Sequence, residues 1–410
     1  MLQERLWYSI NERMKRKKGR IDMNAFEFQN QTKLVFGPDG VSKLAPLVSP
    51  YGKRILLVYG GGSIKKSGLY DGIYNQLNKI GAKVVELPGI EPNPRLSTVH
   101  KGIELCREHQ IDFILAAGGG SVIDAAKAVA VGVPYEGDVW DFCMRKASIK
   151  TALPFGTILT LSATGSEMNG NAVITNWEER QKRSFKSPHA FPKFSILDPT
   201  LTYTVPAHQT VNGAVDMMSH VFEQYFSQTK DSPLQERFCE SILQTVIENA
   251  EKAVRQPEDY AARANLMLCG TMALNGGMIS MGMENDWTSH AIEHEISAIY
   301  DIAHGAGLAI VFPNWMKYVY QERTDRFVQY AVRVWNIDPA GKTQDEVAIA
   351  GIEATRAFLK KLGAPSTLGE LDIDDRDIER MAKEAVRFGP IGYFKKLDEN
   401  DVANILRSCL

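Results

Sequence analysis

Between residues 53 and 120 the chain alternates short apolar runs with longer stretches whose apolar residues return every three or four positions. The runs RILLVY (54–59), KVVEL (83–87) and DFILAA (112–117) are rich in aliphatic residues and each stops at a glycine or proline, which predicts strands. Residues 69–80 and 97–109, lying between them, carry helical spacing. Strand, helix and strand in repetition predict a parallel sheet with helices on both faces. After about residue 202 the pattern changes. Segments 211–224, 233–255, 260–275, 324–334, 344–362 and 377–388 all carry three-to-four-residue spacing, which predicts a second, helical domain. Asp198-Pro199 and Val205-Pro206 mark a hinge between the two, because a residue before proline is pushed out of the helical region.

A chain of 410 residues has material for two cores, in keeping with this division. The expected boundaries are an extension over 1–22, an α/β domain over 23–204 and an all-helical domain over 205–410. The extension carries a basic cluster at 14–20, but no apolar stretch of signal-peptide length follows it, and MNAFEFQNQTKLVFG from Met23 reads as a natural start into a strand. Residues 1–22 are therefore expected to be a poorly ordered lead rather than a nucleic-acid-binding arm. A net charge of −2 offers no field for nucleic acid or an anionic membrane. No run approaches the roughly 18 apolar residues of a membrane span. Five scattered cysteines without a CxxC pair fit a reducing cytoplasm.

Two glycine clusters follow strands. In AAGGGSVIDAAK the strand breaks at Gly118-Gly119-Gly120-Ser121 and a helix is expected from about Val122. Glycines let a backbone approach a phosphate, and the free N–H groups at a helix start hold it. The cluster departs from the GxGxxG fingerprint, since Ile123 takes the third glycine's place. The other cluster, VYGGGSIKKSG, has Gly60 where dinucleotide folds often carry an acid for the ribose hydroxyls, with Ser63, Lys65 and Lys66 just beyond. If a dinucleotide binds, that favours NADP(H) over NAD(H).

A different chemistry gathers in the second half. GAVDMMSHVFEQY spaces Asp216 and His220 by four, and SHAIEHEIS does the same for His290 and His294, so each pair leaves one helix face. His304 follows at AHGAG, where Gly305 and Gly307 are expected to loosen the backbone. One carboxylate with several imidazoles suits Fe(II) or Zn(II) better than Mg(II) or Ca(II). Spacing alone does not rank His290, His294 and His304 as ligands.

These motifs resemble the iron-containing alcohol dehydrogenase family, in its butanol dehydrogenase and broad aldehyde reductase branch. YGGGSIKKSG, EPNP, GGGSVIDAAK, TLSATGSEMN, LDPTLTYTVP, DMMSH, the HAIEH pair and AHGAGLAIVFP occur in the family's order from about Met23 to the carboxyl terminus. The resemblance implies a Rossmann-like dinucleotide-binding domain followed by an all-helical metal-binding domain, an architecture shared with dehydroquinate synthase, and a homodimer paired through a strand near residues 26–36. It implies a divalent metal on Asp216, His220, His290 and His304, leaving His294 as the candidate catalytic residue, for proton relay or for packing. Implied cofactor contacts are Gly60, Gly62, Ser63, Asn93, Gly119, Gly120, Ser121, Asp124, Thr160, Leu161, Ser162, Ser166, Asn169 and Lys182. The implied reaction is reversible hydride transfer between a nicotinamide and a small aldehyde or primary alcohol. Two alternatives differ in class. A dehydroquinate-synthase-like lyase would need a cationic pocket that the segment around Asp216 does not offer, and a non-catalytic NADP-binding module would bind cofactor without turnover.

Overall fold

The structure is a computed structural model and describes residues 23–410; the extension over 1–22 lies outside the described residues. Eight strands are present among them: β1 (Lys33–Phe36), β2 (Arg54–Tyr59), β3 (Lys83–Leu87), β4 (Phe113–Gly118), β5 (Phe155–Leu159), β6 (Asn171–Asn176), β7 (Gln181–Lys186) and β8 (Phe194–Leu197). Six of them form one sheet in the order β1-β8-β5-β4-β2-β3, with all neighbours parallel. Alternate residues of β2 face opposite ways: Ile55, Leu57 and Tyr59 enter one core, and Leu56 and Val58 another. Both faces are covered, which is why the run is continuously apolar rather than alternating. Helices α1 (Leu69–Lys79), α2 (Leu96–Glu108) and α3 (Gly120–Gly132) connect these central strands.

The order of the strands positions the ligand site. From β2 the chain goes outward to β3, then returns to place β4 on the other side of β2. That reversal opens a crevice beyond the carboxyl ends of β2 and β4, where the two glycine turns lie side by side.

From Ala207 onward the described residues hold helices and no strand: α4 (Ala207–Tyr225), α5 (Pro233–Arg255), α6 (Tyr260–Ala273), α7 (Thr288–Tyr300), α8 (His304–Val319), α9 (Thr324–Trp335), α10 (Gln344–Leu362), α11 (Ile378–Ala385) and α12 (Glu399–Ser408). Helix α4 is buried on every side from Val211 to Tyr225 apart from Asn212, packed among α5, α6 and α8. Its polar residues are therefore inside, at a desolvation cost that demands a partner or a ligand.

Two expectations need amendment. The strand sought across 26–36 is only Lys33–Phe36, because Asn30 turns the preceding chain inward, donating from Nδ2 to the Met168 and Asn275 carbonyls at 2.8 and 3.0 Å. Gly305 and Gly307 do not loosen the backbone: both lie in the first turn of α8. A Cβ on Gly305 would stand 2.2 Å from the Asn212 carbonyl oxygen, and one on Gly307 2.7 Å from Glu293 Cγ. They are glycines so that α8 can touch its neighbours.

Candidate metal centre and nucleotide cleft

At the crevice, helix α3 starts at Gly120, capped by Gly119 with no side-chain hydrogen bond. The N–H groups of Gly120 and Ser121 at its start are open to an anion, while those of Val122 and Ile123 donate to the Gly119 carbonyl at 3.1 and 3.2 Å. A Cβ on Gly120 would lie 2.4 Å from Thr164 Cγ2 and one on Gly119 3.2 Å from Leu161 Cβ, so the glycines let the segment after β5 close over the turn. Thr160 joins it by donating its N–H to the Gly118 carbonyl at 3.1 Å. Thr160, Leu161 and Ser162 are half-buried beside the turn, as is Ser121. Across the crevice, Gly62 takes a left-handed φ of 105° and Ser63 opens a short helical turn.

Other residues of the implied cofactor set turn inward. The Asp124 carboxylate accepts from Ser166 Oγ at 2.5 Å and from the Val173 N–H at 2.9 Å. The fully buried Lys127 ammonium donates to Ser166 Oγ (2.8 Å), Asn169 Oδ1 (3.0 Å) and the Asn171 carbonyl (2.7 Å). Burial pushes that ammonium down to about 8, opposed by the acids Asp124 and Glu167. Asn169 Nδ2 donates to the Gly165 and Leu274 carbonyls. This network ties α3 to the 160–171 segment from beneath. Asn93, at a left-handed φ of 55°, donates to Asp301 Oδ1 at 3.0 Å and the Ile302 carbonyl at 3.2 Å, while Arg95 bonds Asp301 Oδ2 at 2.5 Å. Both link the sheet domain to the loop that precedes His304.

Three helices converge on the other wall of the cleft. On α4, Asp216 Oδ1 lies 3.8 Å from His220 Nε2; His304, first residue of α8, brings its Nε2 to 3.6 Å from the same oxygen. From α7, His290 stacks on His220 with ring centroids 4.8 Å apart and stands 5.2 Å from His304. Ligand atoms of Asp216, His220 and His290 lie within 4.8 Å of one another, and His304 groups as closely with Glu293 and His294. The two groupings share an edge, since His304 turns Nδ1 to Glu293 and Nε2 to Asp216.

Two buried carboxylates orient these rings. Glu223 Oε1 accepts from His290 Nδ1 at 2.9 Å and from its backbone N–H at 3.0 Å; Glu293 Oε2 accepts from His304 Nδ1. Each fixes an Nδ1–H tautomer and leaves an Nε2 lone pair facing the centre, as in carboxylate–histidine–metal arrangements. Asp216 Oδ1, His220 Nδ1 and His290 Nε2 are buried with no hydrogen-bond partner. Buried polar atoms are rarely left so, and a coordinated cation answers the deficit at the carboxylate and at His290. Burial lowers His220 to about 3, so it is a neutral imidazole able to ligate. Burial alone would raise Glu293, but the neighbouring His304 and the Lys182 ammonium prevail and hold it well below the usual carboxylate range.

Lys182 comes from β7, and its buried ammonium lies 3.5 Å from Glu293 Oε2 with no hydrogen bond. His294 sits one turn beyond His290, its ring 5.4 Å from that of His304. Burial drives its imidazole well below the ordinary value, with the Lys182 charge adding to the effect. Glu223 and Glu293 were not singled out from the sequence. Their signal was their spacing, three residues after His220 and three after His290, on the candidate ligands' own helix faces.

A doubly covered parallel sheet with a phosphate-type helix start, facing an aspartate and three imidazoles, defines a metal-dependent, dinucleotide-linked oxidoreductase. Residues 31–199 match the family model for iron-containing alcohol dehydrogenase, and residues 210–410 that for the Fe-containing alcohol dehydrogenase family, C-terminal. The chain belongs to the iron-containing alcohol dehydrogenase family, in its butanol dehydrogenase and aldehyde reductase branch, and is a metal-dependent, NAD(P)H-linked alcohol dehydrogenase and aldehyde reductase. It is 54% identical over 388 residues to a probable NADH-dependent butanol dehydrogenase 1 of Bacillus subtilis, covering 95% of this chain and 100% of that protein. To the NADPH-dependent aldehyde reductase YqhD of Escherichia coli it is 40% identical, over 90% and 94% of the two chains. The crystal structure of the NADH-dependent butanol dehydrogenase A of Thermotoga maritima superposes with a TM-score of 0.91 at 42% identity, covering 95% of this chain and 100% of that one.

Proposed function

We propose that this protein reduces small, butanal-like aldehydes to primary alcohols, and the reverse, with NADP(H) preferred over NAD(H). Its one divalent ion, Fe(II) or Zn(II), is held by Asp216, His220, His290 and His304. The observation that carries the ligand assignment is the set of buried atoms without partners, Asp216 Oδ1 and His290 Nε2 foremost. When bound, the ion supplies a Lewis acid for the carbonyl oxygen. Glu223 and Glu293 hold protons on the Nδ1 atoms of His290 and His304 and so keep both Nε2 atoms free to ligate. The turn at Gly119, Gly120 and Ser121 holds the pyrophosphate, with Gly60, Gly62 and Ser63 toward the adenosine. Thr160, Leu161 and Ser162 line the nicotinamide half, and Lys182 reaches its ribose. Asn93, Asp124, Ser166 and Asn169 serve the cofactor by holding these segments in place. His294, half-buried beside His304, relays the proton that the product oxygen takes up.

The cofactor preference rests on the end of β2 and its neighbour. The segment directly after Tyr59, GGGSIKKSG, carries no acid. The nearest, Glu86 on β3, is engaged by the hydroxyls of Tyr59 (2.5 Å), Tyr70 (2.5 Å) and Tyr74 (2.6 Å), which leaves it poorly placed to bind a ribose. Lys65 stands over the Tyr70 and Tyr59 rings, 4.6 and 5.3 Å from their centroids, and pairs with Glu86 Oε2 at 3.9 Å while its side chain stays exposed, so a 2′-phosphate can compete for it. We further propose a nucleotide domain over 23–204, a metal domain over 205–410, and a homodimer joined along edge strand β1 and the exposed Phe26, Phe28 and Phe36 beside it. A cytoplasmic setting fits the five buried, unpaired cysteines. No helix among the described residues is long and apolar enough to cross a membrane.

The test is an assay of anaerobically purified enzyme with butanal and NADPH or NADH, before and after chelation, with Fe(II) or Zn(II) restored. Activity should vanish on chelation and return with the ion. Full turnover by metal-free protein overturns the metal reading, and equal turnover of NADH and NADPH removes the preference.

A further inference from the structure

The residue that leads into α7, Trp287, has a left-handed backbone with φ 66° and ψ 15°. For a bulky side chain this is an unfavourable conformation, and such residues persist only where their surroundings over-determine them. The surroundings here do so from both sides. The Trp287 N–H donates to Glu223 Oε2 at 2.8 Å, and the preceding Asp286 N–H donates to the Glu223 carbonyl at 2.9 Å. The Asp286 carboxylate in turn accepts from the Thr288 N–H at 3.0 Å and from those of Tyr393 and Phe394 at 3.0 and 2.6 Å. Glu223 is the carboxylate that orients His290, so one buried acid sets both a metal ligand and this tryptophan.

The strained backbone sets the indole against the imidazoles. Its ring meets His290 edge-on at 5.3 Å between centroids and lies 6.2 Å from His220, while remaining only half-buried. A carbonyl oxygen brought to these ligands carries its neighbouring carbons within reach of the indole. An unbranched chain can lie along the flat ring and gain dispersion contacts, whereas a branch on the carbon next to the carbonyl collides with it.

We propose that Trp287 is a specificity-determining wall of the substrate site, admitting unbranched aldehydes and rejecting those branched beside the carbonyl. The proposal rests on the metal being held by Asp216, His220, His290 and His304. Its test uses the metal-reconstituted enzyme with butanal and 2-ethylbutanal, in the wild type, Trp287→Phe and Trp287→Ala. The branched-to-linear ratio of kcat/KM should rise about tenfold or more in the alanine variant, the order expected when a pocket contact is lost. It should stay near the wild-type value in the phenylalanine variant, with metal content by mass spectrometry unchanged in both. Metal-replete Trp287→Ala with an unchanged ratio overturns the proposal.

A second measurement stands even if the alanine variant does not fold. Titrating Co(II) into the metal-free protein should quench tryptophan emission, and Trp287→Phe should lose the greater part of that quenching; undiminished quenching places Trp287 away from the ion and overturns the proposal. Co(II) binding that survives Asp216→Ala would instead overturn the metal assignment, so the two failures are told apart.

Discussion

The two walls of the cleft are built on opposite plans. The nucleotide wall is made of backbone, a helix start and glycines, and the polar side chains under it satisfy one another: Asp124, Lys127, Ser166 and Asn169 form a closed network. The metal wall is made of side chains, and it leaves Asp216 Oδ1, His220 Nδ1 and His290 Nε2 buried without partners. One wall has these four side chains paired before its ligand arrives, with Glu167 Oε2 and Asn171 Oδ1 nearby left without partners. On the proposed ligand assignment the other needs an ion to offset the cost of its own burial, which would couple metal binding to local stability there.

The largest test of this contrast is to remove a ligand. Asp216→Ala or His304→Ala should lose the metal and lower butanal reduction by roughly a thousandfold or more, while NADPH binding is kept; metal content by mass spectrometry and nucleotide titration decide it. A variant that retains a full equivalent of metal breaks the assignment. Next in size is Glu223→Gln, which keeps all four proposed ligands but loosens His290. Metal affinity should weaken about 10–100-fold in a competition titration, with NADPH affinity unmoved.

On the other wall, Gly120→Ala forces a Cβ to 2.4 Å from Thr164. It should cost about 1–3 kcal/mol, read as a higher KM for NADPH at unchanged metal content. An unaltered KM would mean that the turn does not hold the cofactor. The smallest effect belongs to the junction of the two walls, where Arg183 of β7 bonds Glu295 of α7 at 2.5 Å and Glu384 at 3.1 Å. Burial raises Glu295 from 4.5 to about 7, against the pull of Arg183. The folded state then holds this proton more tightly than the unfolded chain between those values, so its contribution to stability falls as pH rises from about 4.5 to about 7. Glu295→Gln should flatten that slope in urea denaturation measured across the window; an identical slope in both proteins refutes it.

The contrast also explains what could be read without coordinates. Strands β2 and β3 and helices α5 and α10 coincide with the expected segments, because doubly buried strands and long amphipathic helices carry strong periodic signals. The β6–β7 hairpin escaped notice. Its turn and second strand, NWEERQKRSFK, are too rich in charge to look like a strand, yet this is the strand that delivers Lys182 and Arg183. In the site, the four-residue spacings exposed the candidate ligands, but ranking His290, His294 and His304 required the family resemblance. Glu223 and Glu293 went unremarked because an acid on a helix ordinarily marks the solvent face. Only the packing of α4, α7 and α8 shows that this face is interior.

The helix contacts around the metal wall also bear on how the enzyme can be re-engineered. A Cβ on Gly213 would come within 2.3 Å of the Ser162 carbonyl oxygen, as one on Gly305 would approach Asn212. Both collisions are with main chain, which cannot swing aside as a side chain can. A mutagenesis library aimed at new aldehydes should therefore hold Gly213 and Gly305 constant and place its diversity at half-buried positions such as Trp287, the proposed wall of the substrate site, leaving the main-chain contacts of α4 and α8 intact.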